Sequence, residues 1–490
     1  MWNEFSFPIS GTTGKVMVAP ASRTGLDGVV LCSAHDDVSR FLLLSGNEES
    51  PVFKAFDGQC TGNVKKAPYT HDNAEALRKY FPWTKPVPVL RNYCSFGCGD
   101  RIGFATSAHA ALFREYNVSP VFAQQSVREL TLTHRTFESV IDDASFEVFQ
   151  TDYENGFGAD GDHLKSFEHI GEALKAGVTM LTLDLSEQLQ PQYAEADEAT
   201  VTVAYADLPA SLRERIERDY NDVPALGLHF SPLERMRCAL IYTKAMDFTA
   251  EVRKFLVEHN GAETDLEISI DETTAPTIPE HHFFVASELK YRNVPFVSLA
   301  PRFIGEFQKG IDYIGNITLF ERQFAVHARI ADYFKTYKLS IHSGSDKFSA
   351  FPAIGRLTKG HFHLKTAGTS WLEAAKAIAV LEPALFRKMI KYAFATLADA
   401  RKLYHVTADF DSLPDPDTIA DSKLVDWLAP DCVPGRQLIH ITYGSMLGGN
   451  DPELTLAIRS ALLKNADGYA ECIRAHFTKH LTLLGITKKA

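Results

Sequence analysis

The side chains best suited to chemistry in this chain are carboxylates, imidazoles and ammonium groups gathered in five short segments. FGADGDHLK (157–165) carries Asp160, Asp162, His163 and Lys165, and QQSVRE (124–129) carries Gln125, Arg128 and Glu129. LEISIDET (266–273) offers Glu267 and Asp271, IHSGSDKF (341–348) offers His342, and HFHLKT (361–366) offers His361, His363 and Lys365. Imidazole and carboxylate donors together suit a divalent transition metal, Zn, Ni, Mn, Co or Fe, rather than a thiolate-selected ion. Arg128 can grip a carboxylate in a bidentate fork, and Glu129 can carry a proton. Each residue also has a plainer reading. Asp162 can be a helix cap, Arg128 and Glu129 a surface ion pair, and an inward histidine a hydrogen-bonded core residue. The weight comes from several such groups meeting on one rim. Lys365 faces inward two positions after His363, where it can be a Schiff-base lysine or, beside metal ligands, a charge stabiliser.

Other signatures carry less. GFGADG (156–161) satisfies G-x-G-x-x-G, but Asp160 and Asp162 would sit against the phosphates and no convincing βαβ unit surrounds it. SFGCGDRIG has Ile102 where the third glycine is needed, and the 152–162 region lacks EF-hand spacing. Neither a G-x-S-x-G elbow nor a P-loop lysine is present, so acyl transfer and phosphoryl transfer from ATP lack support, and with the fingerprint so poor no nucleotide cofactor is expected. Cys94 and Cys98 form a CxxxC of low specificity.

A parallel barrel would hold these segments together. Eight β-rich runs are read at Arg91–Phe104, Pro120–Ser126, Gly156–His163, Val178–Leu185, Asp265–Asp271, Pro295–Arg302, Leu339–Ser345 and His361–Ala367. Helical patterns lie between most of them, such as Ser107–Tyr116, Ser166–Ala176 and Gln323–Tyr337. Eight β-then-α units imply a (β/α)8 TIM-type barrel of the α/β class, whose sites lie at the C-terminal ends of its strands. Alternation in LEISIDET sends Leu266, Ile268 and Ile270 outward and Glu267, Ser269 and Asp271 inward. The expected organisation is a small N-terminal β-rich unit (1–87), the barrel (88–370) with a helical insertion (187–262), and a C-terminal helical extension (371–490). That extension is interrupted by a strand-like QLIHITYGS.

Length and composition agree with a large enzyme. The 490 residues are 45% apolar and 23% charged, ordinary for a globular protein. A net charge of −12 argues against a nucleic-acid partner. No run is long and apolar enough for a membrane span, and the seven scattered cysteines read as reduced thiols of a cytoplasmic protein. A homo-oligomer is compatible with all of this.

QQSVREL, ENGFGADGDHLK, LEISIDET, KLSIHSGSDKF and HVTADFDSLP, in this order and spacing, resemble the tagaturonate epimerase family from about Pro88 onward. The resemblance implies a metal-dependent barrel enzyme that inverts C4 of a keto-uronate, interconverting fructuronate and tagaturonate. Some relatives act on the neutral ketohexoses fructose and tagatose. One departure is LTLTHRTFE, where His134 stands in place of an expected glycine and would alter a wall of the site.

The chemistry can be argued from the substrate. The C4 proton of a 2-ketose is not acidified by the C2 carbonyl, but the C4 hydroxyl is β to it. Retro-aldol cleavage of C3–C4, rotation of the aldehyde and re-addition would therefore invert C4 without a redox cofactor. On this reading His163, Glu267, His342 and His363 hold the metal, while Glu129 and Asp162 handle protons. Gln125, Arg128, Lys165, Arg302 and Lys365 bind the sugar or sugar acid. The alternatives are transient oxidation by a nicotinamide, a metal-dependent aldose–ketose isomerase or aldolase on the same rim, and a non-catalytic sugar-acid-binding protein.

Overall fold

The computed structural model describes residues 2–9, 12–273, 275–366 and 368–489. Short strands separated by turn residues build an antiparallel N-terminal sheet. Its strands are β1 (Asn3–Ile9), β2 (Thr12–Val18), β3 (Thr24–Leu26), β4 (Val29–His35), β5 (Arg40–Gly46), β6 (Gln59–Thr61) and β7 (Val64–Pro68). They pair in the order β1-β2-β4-β5-β7-β6, with β3 on β4. Val29, Leu31, Leu42 and Leu44 alternate onto one face. That face packs on the helix His71–Tyr80 and on Phe146 and Phe149 of the barrel helix Phe137–Thr151. Buried Arg40 adds an ionic seam, its guanidinium bonded to Glu147 and 3.4 Å from Asp143 of that helix.

The next eight strands, all parallel, close a barrel: β8 (Cys94–Gly97), β9 (Ser119–Ser126), β10 (Gly158–Leu164), β11 (Met180–Asp184), β12 (Asp265–Ile270), β13 (Ser298–Pro301), β14 (Lys338–Ile341) and β15 (Phe362–Lys365). β15 pairs with β8 to complete the ring. Each strand falls within or within a residue of its expected run; Ala367, at the end of the last one, lies outside the described residues. In β12, Leu266, Ile268 and Ile270 join the core beneath the helices, each burial stabilising by about 1.5–3 kcal/mol. Glu267 and Ser269 take the opposite side of the pleat and point into the barrel, where Glu267 meets His342 and Lys365. Between β11 and β12 run the helices Glu198–Ala206, Ala210–Asp219 and Pro232–Glu258.

The C-terminal part is helical, and here one expectation is corrected. QLIHITYGS is not a strand: it belongs to the helices Val433–Ile441 and Tyr443–Leu447. Every residue from Gly435 to Ile441 is buried, so no polar face interrupts the apolar run, and Pro434 occupies the first turn, where its missing N–H is harmless. All seven cysteines are free thiols. Among the described residues no helix is long and apolar enough to cross a membrane.

Candidate active site

The expected residues meet at the C-terminal mouth of the barrel, and local backbone geometry explains how. The register of β10 slips between Gly161 and Leu164, and His163 within the slip has φ +57°. Such a bulge re-aims a side chain. His163 turns toward β11, its Nδ1 3.4 Å from Asp184 Oδ2 and its Nε2 3.8 Å from Asp162 Oδ1. The ring of His342, just beyond β14, lies 5.0 Å from that of His163, centroid to centroid. His342 Nε2 donates to Glu267 Oε1 at 2.7 Å, and Ser298 Oγ donates to the other Glu267 oxygen. His342 Nδ1, buried and without a well-aligned hydrogen bond, lies 3.2 Å from Asp271 Oδ2.

Beneath this pair sits Lys365. Its Nζ lies 2.6 Å from Asp162 Oδ1, 2.8 Å from Asp160 Oδ2 and 3.1 Å from Glu267 Oε1, and it also donates to Thr182 Oγ1. Burial alone would lower the lysine pKa, but the three carboxylates outweigh it and hold the ammonium well above its usual range. Burial opposes ionisation of Asp162 and Glu267 as well, yet Lys365 and the histidines overcome this and keep both ionised. For Asp160 burial wins, and its carboxyl is shifted upward. For His342 burial is outweighed by Asp271 and Glu267, which lift it to about 10. His363 is different. Burial pushes it down to about 3, and its Nδ1 is hydrogen-bonded with Ser95 Oγ at 2.9 Å.

A second group comes from β9 and β8. Ser126 caps the helix Val127–Thr133 in a capping box, its Oγ accepting from Glu129 N while Glu129 Oε2 accepts from Ser126 N. Arg101, just past β8, donates from Nε to Glu129 Oε1 at 2.8 Å with Nη2 2.6 Å from the same oxygen, and its guanidinium lies 3.6 Å over the Tyr443 ring. The capping box thus fixes the height of Glu129 and Arg101 fixes its direction. Glu129 Oε2, which among the described residues accepts only from Ser126 N, keeps a lone pair for a further donor.

Both groups open onto one cavity of about 760 Å³. Glu129, Asp162, His163, Asp184, Asp271 and His342 line it, as do Arg128, Lys165 and Arg302. Lys365 and Gln124 line a smaller recess of about 40 Å³ that also touches Asp162, His163 and His342. Gln125, Glu267 and His363 line neither. Gln125 instead donates to Asp100 O, Glu267 stands behind His342, and His363 lies deeper in the barrel. His361 does not turn inward as its spacing suggested; it precedes β15 and stacks on Tyr93, ring centroids 5.1 Å apart. Of the expected cations, Arg302 donates to Thr273 O, Arg128 to Leu403 O and Lys165 to Ser186 Oγ.

The chain as a whole is similar to known enzymes. A sequence model of the UxaE family, tagaturonate epimerase, matches residues 21–484. The chain belongs to the tagaturonate epimerase family. The tagaturonate/fructuronate epimerase of Thermotoga maritima is 41% identical over 419 residues, covering 84% of this chain and 85% of the relative. Crystal structures of the fructuronate-tagaturonate epimerase UxaE from Cohnella laeviribosi, native and in complex with glycerol, share 42% identity. They superpose with a TM-score of 0.92 over 96% of this chain and 97% of theirs.

In this epimerase the departure at His134 has a backbone explanation. His134 ends the helix Val127–Thr133 with φ +52°, the left-handed cap that glycine fills most easily. It is exposed and does not line the cavity, so it leaves the site wall unchanged. Arg101, Asp184 and Lys309 escaped the sequence reading. Arg101 and Asp184 stand at strand ends, where position alone would have flagged them; Lys309 lies mid-loop with no motif. Two other clusters carry ligand-type atoms, Glu234 with Cys238 and His281, and Asp346 with His476 and His480. In the first, His281 already pairs with Glu234 and Tyr242; in the second, His480 pairs with His476 O and Asp346 N.

Proposed function

We propose that this epimerase interconverts fructuronate and tagaturonate by retro-aldol inversion of C4 at a divalent-metal site. The observation that carries the metal reading is the meeting of two imidazoles with acidic oxygens at the barrel mouth. His163 and His342 face each other, and His342 Nδ1 is buried, poorly bonded and 3.2 Å from Asp271. His163, His342 and Asp271 would hold the ion, a two-imidazole, one-carboxylate donor set, while Glu267 orients His342 from behind through Nε2. When bound, the cation supplies Lewis-acid polarisation of the C2 carbonyl and its neighbouring hydroxyl.

The protein's own groups then account for proton and position. Glu129 takes the C4 hydroxyl proton as the C3–C4 bond breaks. Its electron pair moves into the C2–C3 enediolate and C4 becomes an aldehyde. After the aldehyde turns, C3 adds to its other face. Glu129 then returns the proton through cavity water to the C4 oxygen, and Asp162, which lines the same cavity and is held ionised by Lys365, accepts a hydrogen bond from that water and directs it. No electrons leave the substrate, so no nicotinamide is required. Lys365, bonded to Asp160, Asp162 and Glu267, is a protonated charge stabiliser rather than a Schiff-base nucleophile.

Incubation of the purified protein with fructuronate in D2O, followed by NMR, tests this reading. Tagaturonate should form with no deuterium at C1 or C2. Chelator should abolish the activity and a divalent metal should restore it. Deuterium at C1 or C2 would indicate an aldose–ketose isomerase. Activity that survives metal stripping would remove the metal, and activity that requires bound nicotinamide would remove the retro-aldol step.

A further inference from the structure

A keto-uronate differs from a neutral ketose by one carboxylate, and a cation in the cavity with no partner of its own is the readiest group to receive it. Most cations lining this cavity are engaged. Arg101 is bonded to Glu129, Arg302 to Thr273 O, and Lys165 to Ser186 Oγ with Asp184 Oδ2 at 3.6 Å. Arg128 donates to Leu403 O and lies over the Tyr404 ring. Lys309 is the exception. It lines both the main cavity and the deeper recess, and among the described residues its ammonium has neither an ion pair nor a hydrogen bond.

The loop between β13 and the helix Ile317–Phe334 presents Lys309 on a braced frame. Lys347 Nζ donates to Gln308 O at 2.8 Å and Ile311 O at 2.6 Å, on either side of Lys309. Arg436 Nε donates to Gly310 O at 2.7 Å, and Gln437 donates to Gln308 Oε1 and to Lys309 O. Glu306 and Ile314 exchange backbone hydrogen bonds that close the base of the loop. Gly310, with φ +72°, leaves room that a Cβ would take from His440. Two buried cations therefore fix the carbonyls of the loop while the third side chain is left pointing into the cavity. Burial depresses the Lys309 pKa, and a bound anion would offset that penalty.

We infer that Lys309 is the specificity-determining residue that receives the substrate carboxylate, so that it sets keto-uronate over neutral ketohexose. This rests on the proposed epimerase reading. The test measures kcat and KM for fructuronate and for tagatose in the wild type and in K309M, K309Q and K309R. Where tagatose is not turned over, its inhibition constant against fructuronate replaces KM. Loss of one charge-assisted contact should raise KM for fructuronate by about 10- to 100-fold. The fructuronate-to-tagatose selectivity should fall by the same factor, and K309R should recover most of it. K309Q serves if K309M folds poorly, and melting temperatures of all variants report folding. An active wild type whose selectivity is unchanged within twofold in K309M and K309Q would overturn the assignment, as would an equal loss of kcat on both sugars. A wild type that does not interconvert the two uronates overturns the proposed function itself, and the anchor with it.

Discussion

Replacing Lys365 by methionine is the sharpest perturbation available, because the ammonium faces three carboxylates at once. Its Nζ lies 2.6, 2.8 and 3.1 Å from Asp162, Asp160 and Glu267, and the side chain is 4% exposed. At an effective dielectric of about 20, one unit charge pair at 3 Å interacts by roughly 5 kcal/mol, and methionine preserves the stem while removing all of it. Removing one member of a buried ion pair destabilises by about 3–5 kcal/mol, and three partners place K365M toward the upper end. Protonation limits the loss, since Asp160 is already shifted toward its neutral form by burial. The double variant D160N/K365M leaves two carboxylates without the ammonium instead of three and should recover about 1–2 kcal/mol over K365M alone. Urea unfolding followed by circular dichroism measures both differences. Stability of K365M within about 1 kcal/mol of wild type, or additivity within about 0.5 kcal/mol, would refute the reasoning. A companion arm adds borohydride during turnover. The reasoning expects no reduced adduct on Lys365, and an adduct of substrate mass there would make it a nucleophile.

Other outcomes follow from the same structure. E129Q should lower kcat by about 10²- to 10⁴-fold with KM within a few-fold, and retention of more than a tenth of kcat would remove Glu129 as the proton carrier. H134G should raise the unfolding free energy by about 0.5–1 kcal/mol and leave kcat/KM unchanged, because it relieves a left-handed cap outside the cavity; a destabilised variant would show that His134 makes an overlooked contact. His71 is hydrogen-bonded to Asp142 at 2.9 Å, which raises its pKa above 6.5. Its contribution to stability is therefore complete below about pH 6.5 and fades as pH rises through the folded-state value. An NMR titration should find a midpoint above 6.5 that D142N lowers, and an unchanged midpoint in D142N would assign the shift elsewhere.

Much of the barrel was legible because its strands obey a period of two. Leu266, Ile268 and Ile270 against Glu267, Ser269 and Asp271 already state which face is which. The helix starts were legible where a cap announced them, as Ser166 does before Phe167–Ala176. QLIHITYGS hides its helix for the opposite reason: a segment buried on all sides has no polar face to reveal its period. At the site, strand-end carboxylates and imidazoles could be found from position, but their division of labour could not. Whether Glu267 touches the cavity or stands behind His342 depends on ring orientation, which the β14 loop sets. Lys309 left no local trace, because what distinguishes it is that Lys347, Arg436 and Gln437 are bonded to its loop and, among the described residues, none is bonded to its ammonium.

The bracing of that loop has a consequence for the order in which the protein is made. The loop ends at Asn316, yet its carbonyls are held by Lys347, Arg436 and Gln437, which emerge later in synthesis. A nascent chain that has already released β15 has every strand of the barrel but lacks Arg436. Such a chain would carry Asp162, His163, Asp271 and His342 at its mouth with Lys309 on a loop already held by Lys347 but not yet by Arg436 and Gln437. The frame of the loop is therefore complete only once translation has passed the helix Val433–Ile441.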